Sequence, residues 1–290
     1  MKTTKSMLGT LLRQWRRNRN VSQLELAMRA NTSQRNVSFV ESGRTHPSRE
    51  MVLKLADALD LPLRARNEIL LAAGFAPFYP ERRLTSAGME LPCRMLERML
   101  AHHEPYPAMV LDAGWNLVMH NRAASRIIER SVPALALAQF SSHEGVNFLR
   151  LVCDPKGMRS RILNWPHVGR ALLARLRREA LAYPGGPLEK LLCDLVTHNL
   201  LPPISASEPP LEAVMPLELD LGDSYLRLFN TLTTFGTPQD VVLQEVRIEL
   251  LFPADNSSEA ILQNWETHAS ASSSKNSALW KTNLASKGIL

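Results

Sequence analysis

The chain has 290 residues, of which 45% are hydrophobic and 21% are charged, so it is long enough for two domains that each bury a core. No apolar run approaches the ~20 residues that cross a bilayer. The amino terminus also has no apolar core of signal-peptide length before its arginines. This composition argues against a membrane partner, and the expected compartment is the cytoplasm.

The net charge of +6 is concentrated in the amino-terminal part of the chain. Residues up to Arg83 carry fifteen Lys and Arg against seven Asp and Glu, a net charge of +8, whereas the remainder carries −2. A basic surface favours a phosphate backbone as its partner, because each neutralised phosphate releases condensed counterions. We therefore expect the first domain to meet nucleic acid.

The first predicted element is an amphipathic helix over residues 7–19. Its apolar residues recur at helical spacing and are Leu8, Leu11, Leu12 and Trp15. Its outer face carries four arginines. These either solvate the helix or meet phosphate, and the sequence leaves both readings open.

Two short helices joined by a tight turn follow, which is the helix-turn-helix arrangement. Ser22 is placed to cap the first helix, over residues 23–30. Residues 31–33 are turn formers, and the second helix, over residues 34–42, ends at Gly43, where a left-handed cap belongs.

The second of these helices keeps one polar face free. On the first helix, Leu24, Ala27 and Met28 are predicted to face inward, and on the second Val37 and Val40 do so. The polar residues that remain are Ser33, Gln34, Arg35, Asn36 and Ser38. Arginine suits guanine and glutamine or asparagine suits adenine, so this face is typical of a major-groove recognition helix. A plain solvated face is the simpler alternative.

Two further helices complete a five-helix domain predicted over residues 7–74: one is capped by Ser48 and ends near residues 61–62, and the other covers residues 63–73. Arg44 and Arg49 lie just beyond the recognition helix and are further candidates for DNA contact. Residues 75–105 are predicted to form a linker and a connecting helix.

The rest of the chain mixes helices with alternating strands. The predicted elements are, in order, a hairpin at 108–120, helices at 166–183 and 188–200, and strands at 215–221, 226–228 and 246–250. This order fits an α+β domain of the PAS kind with a mixed or antiparallel sheet, over residues 106–266. Residues 267–290, rich in Ser, Asn and Lys, are predicted to be a disordered tail.

Inward-facing residues of this sheet are candidates for an apolar ligand tunnel, although filling a core is the simpler role. The candidates are Val110, Trp115, Leu117, Leu226, Leu228 and Ile248, with Asn121 and Arg175 as polar members. An arginine at the mouth would suit a carboxylate. The three cysteines, Cys93, Cys153 and Cys193, lack metal or disulfide spacing, so we expect buried thiols and no metal.

Several stretches resemble the MmyB-like transcriptional regulators. They include SQLELAMRANTSQRNVSFVESGRTHPS, which resembles phage-repressor or xenobiotic-response-element helix-turn-helix units, the hairpin YPAMVLDAGWNLVMHN, and LFNTLTTFGTPQDVVLQEVRIELLFPAD. The resemblance implies an all-α, lambda-repressor-like head joined to a PAS-like ligand-binding domain, in which a family member holds a long-chain fatty acid. By position it implies that Gln23 contacts phosphate and braces the recognition helix. It implies that Gln34, Arg35 and Ser38 read bases and that Arg44 clamps the DNA backbone.

We therefore expect a non-enzymatic regulator that binds a double-stranded DNA operator and is tuned by a small, fatty-acid-like apolar ligand, without a cofactor. One recognition helix reads few base pairs, so a homodimer on two half-sites is expected. One alternative is a repressor or antitoxin-like protein whose second domain binds a protein. Another is an enzyme targeted to nucleic acid through Asp112, His120, Asp154 or His167, although the chain has no Gly-rich phosphate loop, nucleophile elbow or HExxH motif.

Overall fold

The computed structural model describes residues 7–142, 145–202 and 216–272, and these divide into two compact units. The first unit contains the residues up to Arg83 together with residues 236–244, and the second contains residues 84–235 and those from 245 onward. Within the described ranges, every helix is too short or too polar to cross a bilayer.

The first unit is helical, as the sequence predicts. Its helices before Arg83 are α1 (Met7–Asn18), α2 (Gln23–Arg29), α3 (Gln34–Ser42), α4 (Arg49–Ala58) and α5 (Leu63–Ala72). Their shared core contains the fully buried side chains of Leu12, Leu26, Leu55, Ile69 and Leu70. Burial of these apolar side chains is the main force that holds such short helices together.

Serine side chains fix where three of these helices begin. The Oγ atoms of Ser22, Ser33 and Ser48 accept hydrogen bonds from backbone N–H groups three residues ahead, at 3.0, 3.1 and 3.2 Å. Gly43 ends α3 with a φ of +74°, the left-handed cap that glycine adopts without a steric penalty. The predicted helix-turn-helix is therefore confirmed in its boundaries.

The predicted inner face of α2 is wrong for Leu24 and Met28 and right for Ala27. Leu24 and Met28 are 54% and 73% exposed, whereas Leu26 and Ala27 are buried. A helix of seven residues makes only two turns, and residues 24, 27 and 28 match the helical spacing as well as residues 26, 27 and 30. The spacing alone therefore cannot decide which of the two stripes packs inward.

The second unit is an antiparallel five-stranded sheet with helices against it. Its strands are β1 (Ala108–Leu111), β2 (Leu117–His120), β3 (Ser141–Ser142), β4 (Gly145–Val146), β5 (Leu217–Asp220), β6 (Tyr225–Thr233) and β7 (Arg247–Pro253). The sheet order is β2-β1-β7-β6-β5, and β3 pairs with β4 separately. The helices of this unit are α6 (Glu90–His102), α7 (Arg122–Ser131), α8 (Ala134–Leu137), α9 (Phe148–Cys153), α10 (Trp165–Ala182), α11 (Pro187–Thr197) and α13 (Asn256–Ser272), whereas the short helix α12 (Val241–Glu245) lies almost entirely in the first unit.

Both faces of this sheet are covered near β1, where all four strand residues are buried. One face packs into a large apolar core that includes Trp115, Leu149, Leu173 and Leu219. The sheet and its covering helices confirm the predicted α+β, PAS-like class.

The predicted linker at 75–105 is divided between the two units. The Asn67 side chain accepts from the backbone N–H groups of Phe78 and Tyr79, each at 3.0 Å, and donates to the Tyr79 carbonyl at 2.7 Å. These bonds hold residues 75–83 in the first unit, whereas α6 belongs to the second.

The last helix, α13, continues to Ser272, past the predicted start of the tail at residue 267. Once the first turn of a helix has formed, each added residue costs little free energy, so the helix can continue into a polar segment. Residues 273–290 lie outside the described residues.

The three cysteines differ in exposure, so the prediction that all are buried is wrong for Cys193, which is exposed, and Cys93 is only partly buried. Cys153 is buried, and desolvation raises its pKa to about 12. Since the thiolate is the reactive form, we expect iodoacetamide at neutral pH to modify Cys193 but to reach Cys153 only in denaturant. Mass spectrometry of tryptic peptides measures both. Equal labelling of the two in native protein would contradict this burial.

Candidate functional sites

Helix α3, the predicted recognition helix, turns its apolar side inward and its polar side to solvent. Val37, Val40 and Glu41 are buried, whereas Gln34 and Arg35 are exposed. In the part of the chain that the structure describes, the Gln34 side chain makes no hydrogen bond. The start of α3 therefore presents side chains that are available to an external partner.

Two other predicted DNA contacts are engaged in local structure. Ser33 caps α3, and the Asn36 amide donates to the Thr32 hydroxyl at 3.0 Å. Their roles at DNA stay predictions, and the local bonds place them as organisers of the turn between α2 and α3. Ser38 is partly exposed one turn along the helix.

Aromatic rings support three of the candidate arginines. The guanidinium carbons of Arg35 and Arg44 lie 5.1 and 5.7 Å from the centroid of the Phe39 ring, and that of Arg49 lies 5.3 Å from the centroid of Phe78. Cation–π contacts of this kind restrict long side chains without neutralising them. The three charges therefore stay available to phosphate or bases.

A buried carboxylate ties the first three helices together. Glu41 on α3 is 2% exposed and accepts from Arg16 on α1 at 2.6 and 3.0 Å and from Gln23 on α2 at 2.8 Å. Arg13 adds a longer contact at 3.4 Å. Gln23 is thus bonded to the recognition helix, and its predicted contact with phosphate stays a prediction.

Burial opposes the charged form of Glu41, but the hydrogen bonds from Arg16 and Gln23 outweigh burial, so its pKa is lowered. The folded first unit therefore keeps this carboxylate ionised to a lower pH than the unfolded chain does.

The second unit encloses a cavity of about 210 Å³ between its sheet and helices α7, α9 and α10. The apolar side chains that line it come from both layers and include Met109, Ile127, Phe148, Leu172, Leu228 and Leu251. An apolar cavity with a few polar groups at one point is the usual form of a small-molecule site.

The polar end of this cavity is built by Arg175, Glu249 and Asn230. Arg175 on α10 donates to Glu249 on β7 at 2.5 Å, and the Asn230 amide on β6 donates to the other Glu249 oxygen at 2.7 Å. The Arg175 guanidinium also donates to Glu179 at 2.8 Å and lies 4.7 Å from the centroid of the Trp115 ring. Both oxygens of Glu249 thus have a partner.

Charge pairing stabilises Arg175 in this half-buried position. Desolvation disfavours its charged form, but hydrogen bonds and attraction from Glu249 and Glu179 outweigh it, and its pKa is raised. Behind it, Arg247 contacts Glu179 at 3.1 Å. The cluster therefore carries two positive and two negative groups.

Three of the eight predicted ligand residues line the cavity: Trp115, Arg175 and Leu228. Val110 and Ile248, which pair with each other in register, are displaced by one residue from the cavity-lining Met109 and Glu249. Neighbouring strand residues face opposite sides, so this pair packs on the other face of the sheet. Leu117 and Leu226 pack in the apolar core without lining the cavity.

Asn121 does not line the cavity either, because its side chain caps α7 and joins it to the hairpin. It accepts from the Ala108 and Ala124 N–H groups at 3.0 Å each and donates to the carbonyls of Leu100 and Tyr106 at 3.3 and 2.7 Å. These four bonds use its hydrogen-bonding capacity.

The sequence reading missed Glu249 and Asn230. The alternating pattern of this strand does show that residue 249 is polar between apolar neighbours. It does not show that residue 249 faces the cavity.

The acidic residue of the hairpin that is a candidate for catalysis has a structural role. Asp112 accepts from the Gly114 and Asn116 N–H groups at 2.8 Å each and so shapes the turn before β2. This turn holds Trp115 at a φ of +63°, with its ring against the cavity.

Comparisons with known proteins give one family match for each part of the chain. Residues 93–264 match the family described as "MmyB-like transcription regulator ligand binding domain", and residues 12–65 match the family described as "Helix-turn-helix". The comparison with curated proteins gives no match.

Among solved structures, the chain is similar to one described as "Structure of an RNA-binding Light-Oxygen-Voltage Receptor". The identity is 12%, the match covers 92% of this chain and 64% of that chain, and the TM-score is 0.23. The chain thus spans less than two thirds of that structure, and a TM-score this low supports no conclusion about fold or function.

Proposed function

The chain belongs to the MmyB-like transcription regulators, and on this premise we propose that it binds a DNA operator as a homodimer under the control of a fatty-acid-like apolar ligand. It is a DNA-binding regulator with a ligand-binding domain, and the proposal adds the dimer, the ligand class and a cytoplasmic site of action. The observation that carries it is one chain holding both an exposed polar recognition helix and an apolar cavity.

For DNA binding, we assign base contacts to Gln34, Arg35 and Ser38 and backbone contacts to Gln23 and Arg44. The exposure of Gln34 and Arg35 at the start of α3 supports the first assignment, since this end of a recognition helix enters the major groove. One helix reads few base pairs, so a dimer on a dyad-symmetric operator is expected.

For ligand control, the support is the connection between the cavity and residues 236–244. Strands β6 and β7 supply Leu228, Glu249 and Leu251 to the cavity wall, and the chain between these strands is packed in the DNA-binding unit. A ligand that shifts these strands therefore acts on a segment that is anchored beside α5.

Three contacts anchor this segment within the first unit. The buried Asp240 carboxylate accepts from Arg82 Nε at 3.0 Å, the Val241 N–H donates to the Pro80 carbonyl at 2.9 Å, and the Gln244 side chain accepts from the Leu63 N–H at 2.7 Å. The last of these satisfies a free N–H at the start of α5.

The test is native purification followed by denaturation, with mass spectrometry of any released small molecule and titration of that molecule against operator binding. A released apolar compound that changes operator affinity is the expected result. Protein from which small molecules have been extracted is compared with untreated protein. If the two bind the operator equally, and no titrated compound changes this affinity, ligand control is excluded.

Replacing Asp240 by alanine is expected to uncouple ligand binding from operator binding. The Arg82 contact is lost and two of the three anchoring contacts remain, so the hold of the first unit on the segment is weakened while the recognition helix and cavity are unchanged. We expect the effect of ligand on operator affinity to fall by more than half, measured by fluorescence anisotropy with and without ligand. Asp223→Ala, which removes an exposed ion pair to Arg130, is the matched control. Unchanged coupling in Asp240→Ala would remove this segment from the mechanism.

A further inference from the structure

The polar end of the cavity restricts the head group that a ligand can bring, and this inference rests on the ligand binding proposed above. Among the residues that the structure describes, two charged ones line the cavity, Arg175 and Glu249, and they are paired with each other at 2.5 Å. The Glu249 side chain is only 5% exposed and the Arg175 side chain 21%. The lining therefore carries no net charge before a ligand enters.

One edge of the Arg175 guanidinium is already occupied by two carboxylates of the protein. Its Nε donates to Glu179 and its Nη2 to Glu249, and the Trp115 ring covers one face at 4.7 Å. Bidentate recognition uses two adjacent N–H groups of the fork, and on the edge formed by Nε and Nη2 each of the two is engaged by a different glutamate. A ligand anion therefore either displaces one of the glutamates or joins them, through Nη1, as a third carboxylate on the same guanidinium.

Displacing Glu249 is costly, because its carboxylate is buried and would keep only the Asn230 amide as a partner. A buried charge that loses its counter-ion carries a penalty well above the value of an exposed pair. If the ligand anion instead joins without displacement, it lies against the Glu249 carboxylate and is repelled.

An uncharged polar head avoids both costs. Each Glu249 oxygen accepts one hydrogen bond and has a second lone pair, and the Asn230 amide has a second N–H. A hydroxyl or primary amide can donate to the first and accept from the second without breaking the Arg175–Glu249 pair. Asn230 is exposed, which puts this end of the cavity at the solvent side, where a polar head belongs.

We propose that the ligand is a long-chain neutral amphiphile, an alcohol or amide in place of a free carboxylic acid, and that Glu249 is the residue that rejects the acid. The apolar lining of the cavity accepts the hydrocarbon chain of the ligand, and the ion-paired polar end of the cavity, which has no net charge, selects the head group.

The test compares decanol and decanoate on delipidated full-length protein at neutral pH by isothermal titration calorimetry. We expect decanol to bind about tenfold or more tightly than decanoate, as expected when one buried charged group would otherwise lose its partner. Decanoate binding as tightly as decanol would overturn the head-group assignment and leave ligand binding intact. If neither compound binds, the ligand proposal fails and this inference fails with it.

Replacing Glu249 by glutamine tests the residue. The change removes the anion at nearly constant shape and leaves Arg175 with Glu179 as its remaining carboxylate partner, so we expect the preference for decanol to shrink by at least about tenfold or to reverse. Glu129→Gln makes the same chemical change at an exposed position of α7 and should keep the wild-type preference. An unchanged preference in folded Glu249→Gln protein would assign the selection to another group, and the wild-type comparison stands if this variant does not fold.

Discussion

Replacing Glu41 by alanine is expected to lower the free energy of unfolding of the first unit by about 3 kcal/mol, the lower end for removing one member of a buried ion pair. The variant loses four contacts that join α1, α2 and α3, and leaves Arg16 beside an empty space. The lower end applies because the Arg16 and Arg13 side chains are 13% and 32% exposed, so water partly compensates them.

Hydrogen exchange of peptides from α1 and α3 measures this change, because it reports the first unit separately from the second. Glu50→Ala is the control, since Glu50 lies on α4 with an exposed side chain paired to Lys54. Exchange rates in Glu41→Ala that match those of Glu50→Ala would show that the buried network does not hold the helices together.

The same site should make the first unit sensitive to acid. The pKa of Glu41 is lowered in the folded state, so its contribution to stability is complete above the ordinary glutamate pKa of about 4.3 and is lost as the pH falls through the folded value. Glu41→Gln removes this titration. The difference in stability between the wild type and Glu41→Gln should therefore shrink below about pH 4.

The start and end of α3 could be predicted closely because the residues that determine them are local. The Ser33 cap and the Gly43 end act on backbone groups within three or four residues, and each residue type reveals its role by itself. The exposed polar face follows from the same short segment.

The cavity could be predicted only in part because its polar end is assembled over long distances. Arg175 and Glu249 are 74 residues apart, and they meet because β7 pairs with β1 in a register that turns residue 249 inward. Alternation predicts that polar and apolar residues face opposite sides, but here both faces are covered. Alternation therefore favours the apolar Ile248 for the cavity side, whereas Glu249 is the residue that lines the cavity.

The packing of residues 236–244 depends on the longest separation in sequence among these contacts and is the hardest to predict. Arg82 and Asp240 are 158 residues apart, and nothing in the local sequence of either one predicts the other. The domain boundary near residue 75 was drawn where helical periodicity stops, whereas the side chains of Asn67 and Arg82 extend the first unit to include the segment that joins β6 and β7.

Replacing Gln34 and Arg35 by alanine is expected to weaken operator binding by about 1–3 kcal/mol for each residue, or roughly 5- to 150-fold. Both side chains are exposed at the start of α3, so their removal should leave the fold unchanged. Since base contacts carry specificity, binding to unrelated DNA should change much less than binding to the operator. The operator is first identified by selection from random duplexes, and affinity is then measured by fluorescence anisotropy.

Arg44→Ala separates base reading from backbone contact. Arg44 lies after the end of α3, so its loss should weaken all duplexes alike and reduce the slope of log affinity against log salt by about 1. Gln14→Ala on α1 and Arg94→Ala on α6 remove the same residue types from exposed positions and should leave operator affinity near the wild type. If the double variant at Gln34 and Arg35 keeps both affinity and sequence preference, α3 is not the recognition helix.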